Sequence, residues 1–159
     1  LDNLLRLRRT LLPAAGIEVP LVLLLGDTSG QSDPATTSFG QPYDVVWFAR
    51  RGDDLAARYG DIARAVPGFG AKTHYGDLAG ARDLAALRAE IDGIGPWIPS
   101  LLRAEPAPDG AGDPRPRLGD GPAPWLAEAR RLGFAVHAYT LRAEAPYRFI
   151  DAAGREQSP

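Results

Sequence analysis

The chain contains no cysteine and no methionine among its 159 residues. The lack of cysteine excludes disulfides, thiolate nucleophiles and cysteine-ligated metals, and it leaves the redox compartment undecided. Because methionine is missing at position 1 as well, we expect a processed product, an expression fragment or a piece of a longer reading frame. Lys72 is the only lysine beside many arginines, which is typical of GC-rich codon usage rather than of a functional patch.

The chain also lacks a strong excess of charge and a long apolar run. Its net charge is -2 and its pI about 5.7, so electrostatics give no reason to expect a nucleic acid or an anionic membrane as partner. The longest apolar run, at 19–25, is far shorter than the roughly 18 residues of a membrane span. No signal peptide is visible. The apolar fraction of 45% favours one folded domain with one core.

Helical and extended patterns alternate along the chain. Leucines on one stripe predict an amphipathic helix over residues 1–12, ended by Pro13 and Gly16. The apolar run at 19–25 predicts a strand buried on both faces, and further strands are predicted at 91–97 and 134–140. Helices are predicted at 76–90, with Asp77 as N-cap, and at 125–132.

Two stretches rich in glycine, proline and small polar residues interrupt this alternation. Residues 27–75 are predicted to be a long loop region, with a short strand at 44–48 and a short helix at 53–65 as its only elements. Residues 103–124 are predicted to be a Pro/Gly-rich insertion that packs into no element. No strand is predicted after Ala145.

Alternating helices and strands indicate an α/β fold with a parallel sheet. In such folds, sites form at the carboxyl ends of the strands, which here lie near Asp27, Trp97 and the segment from Tyr139 to Arg142. Each has a structural alternative. Asp27 could cap a turn, Trp97 could pack in the core, and Arg142 could form a surface ion pair.

The residues present do not form a complete catalytic set. His74 and His137 could pair on a metal, but no carboxylate stands near either with ligand spacing. The Gly-x-Ser-x-Gly turn of α/β hydrolases is absent, and no glycine fingerprint for phosphate follows a strand. We therefore predict no catalytic residue and no metal ligand within the chain.

Three stretches carry a family resemblance. They are IDGIGPW at 91–97, WLAEARRLGFAVHAYTLRAE at 125–144, and LDNLLRLRRTLLPAAGIEVPLVLLL at 1–25, with GQPYD and YGDLAG in the expected order between them. Together they resemble the C-terminal half of the glycerophosphodiester phosphodiesterase family, in particular its longer, secreted bacterial and plant branch. The sequence departs from the family pattern at Arg130, Ala138, Leu141 and Ala143, and at Leu23 or Leu24 where the family has Gln.

The resemblance implies a partial TIM (β/α)8 barrel over residues 1–159, comprising about strands five to seven with their helices and truncated at both ends. The family hydrolyses glycerophosphodiesters to glycerol 3-phosphate and an alcohol, with two histidines and a divalent cation, Ca²⁺ or Mg²⁺. Its metal ligands and catalytic histidines belong to the first half of the barrel and have no counterpart in this chain. The chain alone is therefore expected to be inactive.

The expected role of the chain follows from that resemblance. Trp97, Tyr139 and Arg142 are predicted to bind the small-molecule glycerophosphodiester substrate, as two aromatic walls and one cation. No nucleic acid and no membrane span are expected. A periplasmic or secreted location is implied, and the cytoplasm stays open. The alternatives are a non-catalytic α/β binding or interaction module derived from such a barrel, and another sugar-phosphate or phosphodiester barrel.

Overall fold

A computed structural model of the chain describes residues 1–28, 38–105, 117–139 and 148–157. Within these ranges the fold is mixed α/β, with a three-stranded parallel sheet and a four-stranded mixed sheet. The parallel sheet has the order β1-β2-β5, and its strands are Val22–Leu25, Gly93–Pro96 and Ala135–Val136. It confirms the α/β class and the parallel pairing predicted from the sequence. The strands of the described residues do not close into a barrel.

The first helical segment runs through residues 2–15 in three consecutive parts. These are α1 at Asp2–Arg6, a π-helical stretch at Leu7–Leu11 and α2 at Leu12–Ala15. Gly16 ends it in the left-handed region with φ 65°, as predicted. The prediction that Pro13 ends the helix is wrong. Proline has no N–H to donate, and the π-helical stretch directly before it carries the helix past the missing hydrogen bond.

The segment 27–75 is predicted to be a long loop region, but its described part contains a 3₁₀ turn at Ser38–Gly40 and three α-helices. They are α3 at Tyr43–Arg50, α4 at Leu55–Tyr59 and α5 at Asp61–Ala65. The predicted strand at 44–48 is wrong, because Val45 and Val46 are adjacent and both buried, which a helix face permits and an alternating strand does not. The helix predicted at 53–65 is divided at Gly60, whose φ is 61°.

The two predicted later helices form with small differences. Residues 76–90 contain a 3₁₀ turn at Asp77–Ala79 and α6 at Ala81–Arg88, so Asp77 does not cap α6, which begins after Gly80. The helix α7, at Pro124–Arg131, confirms the prediction for 125–132 and has proline in its first turn.

The predicted Pro/Gly-rich insertion at 103–124 forms a strand at each of its two ends. It contributes β3 at Leu102–Glu105 and β4 at Arg117–Pro122, which pair antiparallel. Two strands also follow Ala145, contrary to the prediction: β6 at Phe149–Asp151 pairs parallel with β4, and β7 at Glu156–Gln157 pairs antiparallel with β6. Strand pairing over such short stretches depends on tertiary context, which composition does not reveal.

Among the described residues, helices cover the parallel sheet on one face. Leu23, Leu25 and Ile94 are buried in the same core as side chains from the helices. On the opposite face, which we call the open face, Leu24 is 58% exposed, and Ala135 and His137 are exposed. The first strand was predicted to be buried on both faces. This prediction is wrong for the side chains of the strand that lie on the open face.

Asp92 joins the first helical segment to the sheet. Its Oδ2 accepts a hydrogen bond of 2.8 Å from the Leu21 N–H and a charged one from Arg8. The guanidinium of Arg8 also donates to the Glu90 carbonyl at 2.9 Å. The Leu21 N–H, and next the Arg8 charge, hold the pKa of Asp92 below its usual value.

Asp92→Asn should lower the free energy of unfolding at neutral pH by about 1–2 kcal/mol, since it weakens two hydrogen bonds to a charged acceptor. Because folding depresses the Asp92 pKa, its stabilisation is present above the pKa of the unfolded chain and is lost as pH falls through the folded pKa. Urea unfolding at pH 7 and at pH 3 measures both effects. An equal loss at the two pH values would contradict this account of Asp92.

Candidate functional site

Trp97 and Tyr139 are brought side by side where the parallel strands end. They form an isolated parallel bridge that continues the pairing of β2 with β5. The Trp97 N–H donates to the Leu25 carbonyl at 3.1 Å, and the Tyr139 N–H donates to the Pro96 carbonyl at 3.0 Å. The Tyr139 hydroxyl reaches the same Leu25 carbonyl at 2.9 Å, so this side chain crosses β2 and ties all three strand ends together.

Phe39 adds a third aromatic ring at this edge of the sheet. Its ring meets Trp97 edge-to-face, with centroids 5.2 Å apart and an interplanar angle of 85°. The Phe39 carbonyl accepts a hydrogen bond of 3.1 Å from the Asp27 N–H, and the Gly40 carbonyl accepts one of 2.9 Å from Tyr75. The 3₁₀ turn at Ser38–Gly40 is therefore fixed against the end of β1.

Polar groups line the base of the same edge. Asp27 is only 3% exposed and Ser100 only 4%. The Ser100 hydroxyl accepts a hydrogen bond of 3.2 Å from the Thr28 N–H and lies 3.4 Å from the Gly26 carbonyl, to which it donates. This serine holds the chain after β1 against the 3₁₀ turn at Ile98–Leu101, so its hydroxyl is engaged structurally and is not a free nucleophile.

The two tyrosines of the site are neutral at physiological pH. Burial, and next the nearby Asp44 carboxylate, raises the pKa of Tyr75 to about 12. Burial also raises the pKa of Tyr139. Neither phenol is therefore suited to act as a base near pH 7, and both serve as rings with a protonated hydroxyl.

The predicted site residues have different outcomes. Trp97 and Tyr139 lie together at the predicted strand ends, whereas Arg142 lies outside the described residues. His137 is exposed on the open face, and the buried Nδ1 of His74 has no hydrogen-bond partner among the described residues. Over the same ranges no three His, Asp or Glu side chains lie close enough together to hold a metal ion.

Phe39, Tyr75 and Ser100 were not predicted as site residues. Phe39 and Tyr75 stand within the stretch interpreted as a long loop, and the only sequence signal for them is an aromatic residue beside a glycine. Ser100 follows Trp97 by three residues, which is the spacing of one 3₁₀ turn. Their convergence depends on the long connection between β1 and β2, which local patterns do not determine.

No protein-family model and no curated protein matches the chain. Within the described ranges, none of the helices has both the length and the apolar character needed to cross a membrane.

Proposed function

We propose that the chain supplies strands five to seven of a glycerophosphodiester phosphodiesterase barrel and forms the substrate-side wall of its pocket. In this proposal Trp97 and Tyr139 flank the glycerol moiety, and Arg142 binds the phosphate or orients a carboxylate. The proposal rests on two grounds. One is the resemblance of the sequence to the family, and the other is that helices cover only one face of the parallel sheet among the described residues.

That one-sided cover is the observation that carries the proposal. Parallel sheets normally have both faces buried, because the crossover helices pack on them. In a TIM barrel the helices lie outside, and alternate strand residues fill the interior in layers. Leu24, Ala135 and His137 are such alternate residues, and they are exposed, although both neighbours of Leu24 in β1 are buried. The missing strands of a barrel would cover them.

The position of the aromatic pair also supports the proposal. Barrel active sites form at the carboxyl ends of the strands, where Trp97 and Tyr139 lie. The Tyr139 hydroxyl is occupied by the Leu25 carbonyl, so the ring rather than the hydroxyl is available to a ligand. An apolar ring beside Trp97 suits the carbon face of a glycerol unit.

A divalent cation in the parent enzyme would polarise the phosphate for hydrolysis. The described residues do not form a site for it, since no three potential ligands converge among them. In the proposal its ligands, and the two histidines that exchange protons, belong to the other half of the barrel. This chain contributes the orientation of the substrate and the exclusion of water from one side of the pocket.

The proposal is tested by measuring glycerol 3-phosphate release from glycerophosphocholine with Ca²⁺ or Mg²⁺. The protein translated from the whole reading frame should hydrolyse it, and Trp97→Ala should lower kcat/KM about tenfold or more through the lost wall of the pocket. Trp47→Ala, at an exposed position on α3, is the matched control and should leave kcat/KM unchanged.

Two results would contradict the proposal. One is robust turnover by the 159-residue chain alone, which would place a complete catalytic set within it. The other is a reading frame without the His-Arg-Gly and Glu-x-Asp segments of the family upstream of Leu1, which would favour the non-catalytic module. A periplasmic or secreted location is part of the proposal, and fractionation of the producing cell tests it.

A further inference from the structure

His137 lies on the open face of the parallel sheet, in the same extended stretch as Tyr139. The pairing of β2 with β5 and the bridge between Trp97 and Tyr139 have the same register, so Gly95 lies opposite His137. The His137 N–H donates to the Ile94 carbonyl at 2.9 Å, which keeps this register. Because side chains alternate along a strand, residues 137 and 139 lie on the same face, roughly 6.6 Å apart along the chain.

The neighbours of His137 on the open face are apolar. Gly95 and Leu24 lie across the sheet from it in register, and Ala135 precedes it on the same face. A Cβ at Gly95 would lie 3.0 Å from the His137 carbonyl oxygen and 2.6 Å from Leu24 Cδ2, so the leucine side chain leans over the glycine. His137 is exposed, and its imidazole makes no hydrogen bond or ion pair with any described residue.

An imidazole in this position needs a polar partner once the open face is enclosed, because burial of a polar group without a hydrogen bond costs free energy. The next side chain on the same face, Tyr139, already donates its hydroxyl proton to the Leu25 carbonyl at 2.9 Å. Trp97 and Tyr139, which flank the substrate in the proposed function, are one residue pair closer to the strand ends than His137. The ligand of that pocket is therefore the partner that the position of His137 favours.

The charge of the candidate site indicates which part of the ligand His137 meets. The described side chains of the site are aromatic rings, the engaged hydroxyl of Ser100 and the carboxyl group of Asp27, so none of them is cationic. The phosphate of a diester is anionic, and its oxygens only accept hydrogen bonds. An imidazole N–H is a donor to such oxygens, and the donated bond is strongest when the ring is protonated.

We propose that His137 is a substrate-binding residue that donates a hydrogen bond from its imidazole to a phosphate oxygen of the substrate. The contact rests on the proposed function, because its ligand is the diester that Trp97 and Tyr139 flank. His137 orients the phosphate between the aromatic walls and the open face. Proton exchange during hydrolysis stays with the histidines of the other half of the barrel.

Chemical modification of His137 tests this contact without requiring turnover. Diethyl pyrocarbonate is added to the protein translated from the whole reading frame, and mass spectrometry measures the rate of modification at each histidine. Glycerol 3-phosphate at about ten times its Kd should slow the modification of His137 about tenfold, and inorganic phosphate should protect it in the same way. Glycerol should not protect it. The rate at His74 is the internal control and should not change.

His137→Leu and His137→Gln are a matched pair for the kinetics of glycerophosphocholine hydrolysis. Leucine removes the donor at similar size, whereas glutamine keeps an N–H donor. His137→Leu should raise KM about tenfold or more and change kcat by less than about threefold, because a binding contact is lost. His137→Gln should keep KM within about threefold of the parent. A fall in kcat that glutamine does not rescue would indicate a structural role for His137 and overturn the proposed contact.

The outcomes separate the phosphate contact from the proposed function. Turnover without protection of His137 would overturn the contact and leave the phosphodiesterase in place. Protection of His137 without turnover would support the contact and contradict the phosphodiesterase, and the absence of both would contradict both. A His137 that is unreactive with and without ligand would have its partner in another side chain of the protein, which overturns the contact. Protection by glycerol would overturn its assignment to phosphate.

Discussion

Gly26→Ala should destabilise the fold by about 2–4 kcal/mol, through forced repacking and a lost buried hydrogen bond. A Cβ at this position would lie 1.8 Å from the Phe39 carbonyl oxygen and 2.9 Å from Tyr75 Cε2. The oxygen belongs to the backbone and accepts a hydrogen bond of 3.1 Å from the Asp27 N–H, so it cannot move without breaking that bond. Phe39 would also lose its position against Trp97.

Urea unfolding of Gly26→Ala measures this loss, and near-ultraviolet circular dichroism reports the change around Trp97. Gly121→Ala is the control, since its φ is not positive and a Cβ there would meet no atom within 4 Å. The control should change the free energy of unfolding by less than about 0.5 kcal/mol. Equal stability of Gly26→Ala and the parent chain would show that the turn at Phe39 does not pack on β1.

Leu25→Ala should lower the free energy of unfolding of the 159-residue chain by about 2–5 kcal/mol, whereas Leu24→Ala should lower it by less than about 1 kcal/mol. The two leucines are adjacent in β1, but Leu25 is 0% exposed on the helix-covered face and Leu24 is 58% exposed on the open face. Both substitutions remove the same atoms from the same strand. A difference between the two losses of free energy of unfolding therefore comes from the face of the sheet on which each leucine lies.

The same pair separates the two interpretations of the open face. If this face becomes the interior of a barrel, Leu24→Ala should cost about 2–5 kcal/mol in the protein translated from the whole reading frame. If the chain is an independent module, the cost stays small there too. Similar large losses for both variants in the 159-residue chain would contradict the one-sided cover of the sheet.

The parallel sheet and the position of Trp97 and Tyr139 at the carboxyl ends of its strands were predictable because they depend on local signals. Continuous apolar runs between glycine and proline indicate buried parallel strands, and the carboxyl ends of such strands meet at one edge. The exposure of Leu24 was not predictable in the same way. An apolar run carries no alternation, so it does not reveal which face of the strand has a partner in the chain.

The connection between β1 and β2 contains helical structure that the sequence pattern did not indicate. Its glycines and prolines were interpreted as a loop, yet Val45, Tyr59 and Ile62 enter the core from three short helices. Helices of five to eight residues have little intrinsic stability and form because an apolar face packs. The position of Phe39 and Tyr75 at the site follows from this packing, and Arg142 lies outside the described residues.

The reactivity of a thiol at position 24 tests the central claim most directly, namely that the open face is the interior of a barrel. Leu24→Cys introduces the only thiol into this cysteine-free sequence, and Leu11→Cys, at a position 45% exposed, is the control. In the 159-residue chain both thiols should react rapidly with Ellman's reagent. In the protein translated from the whole reading frame, the thiol at 24 should react roughly a hundredfold more slowly while the control is unchanged. Equally rapid reaction of the thiol at 24 in both proteins would contradict the account.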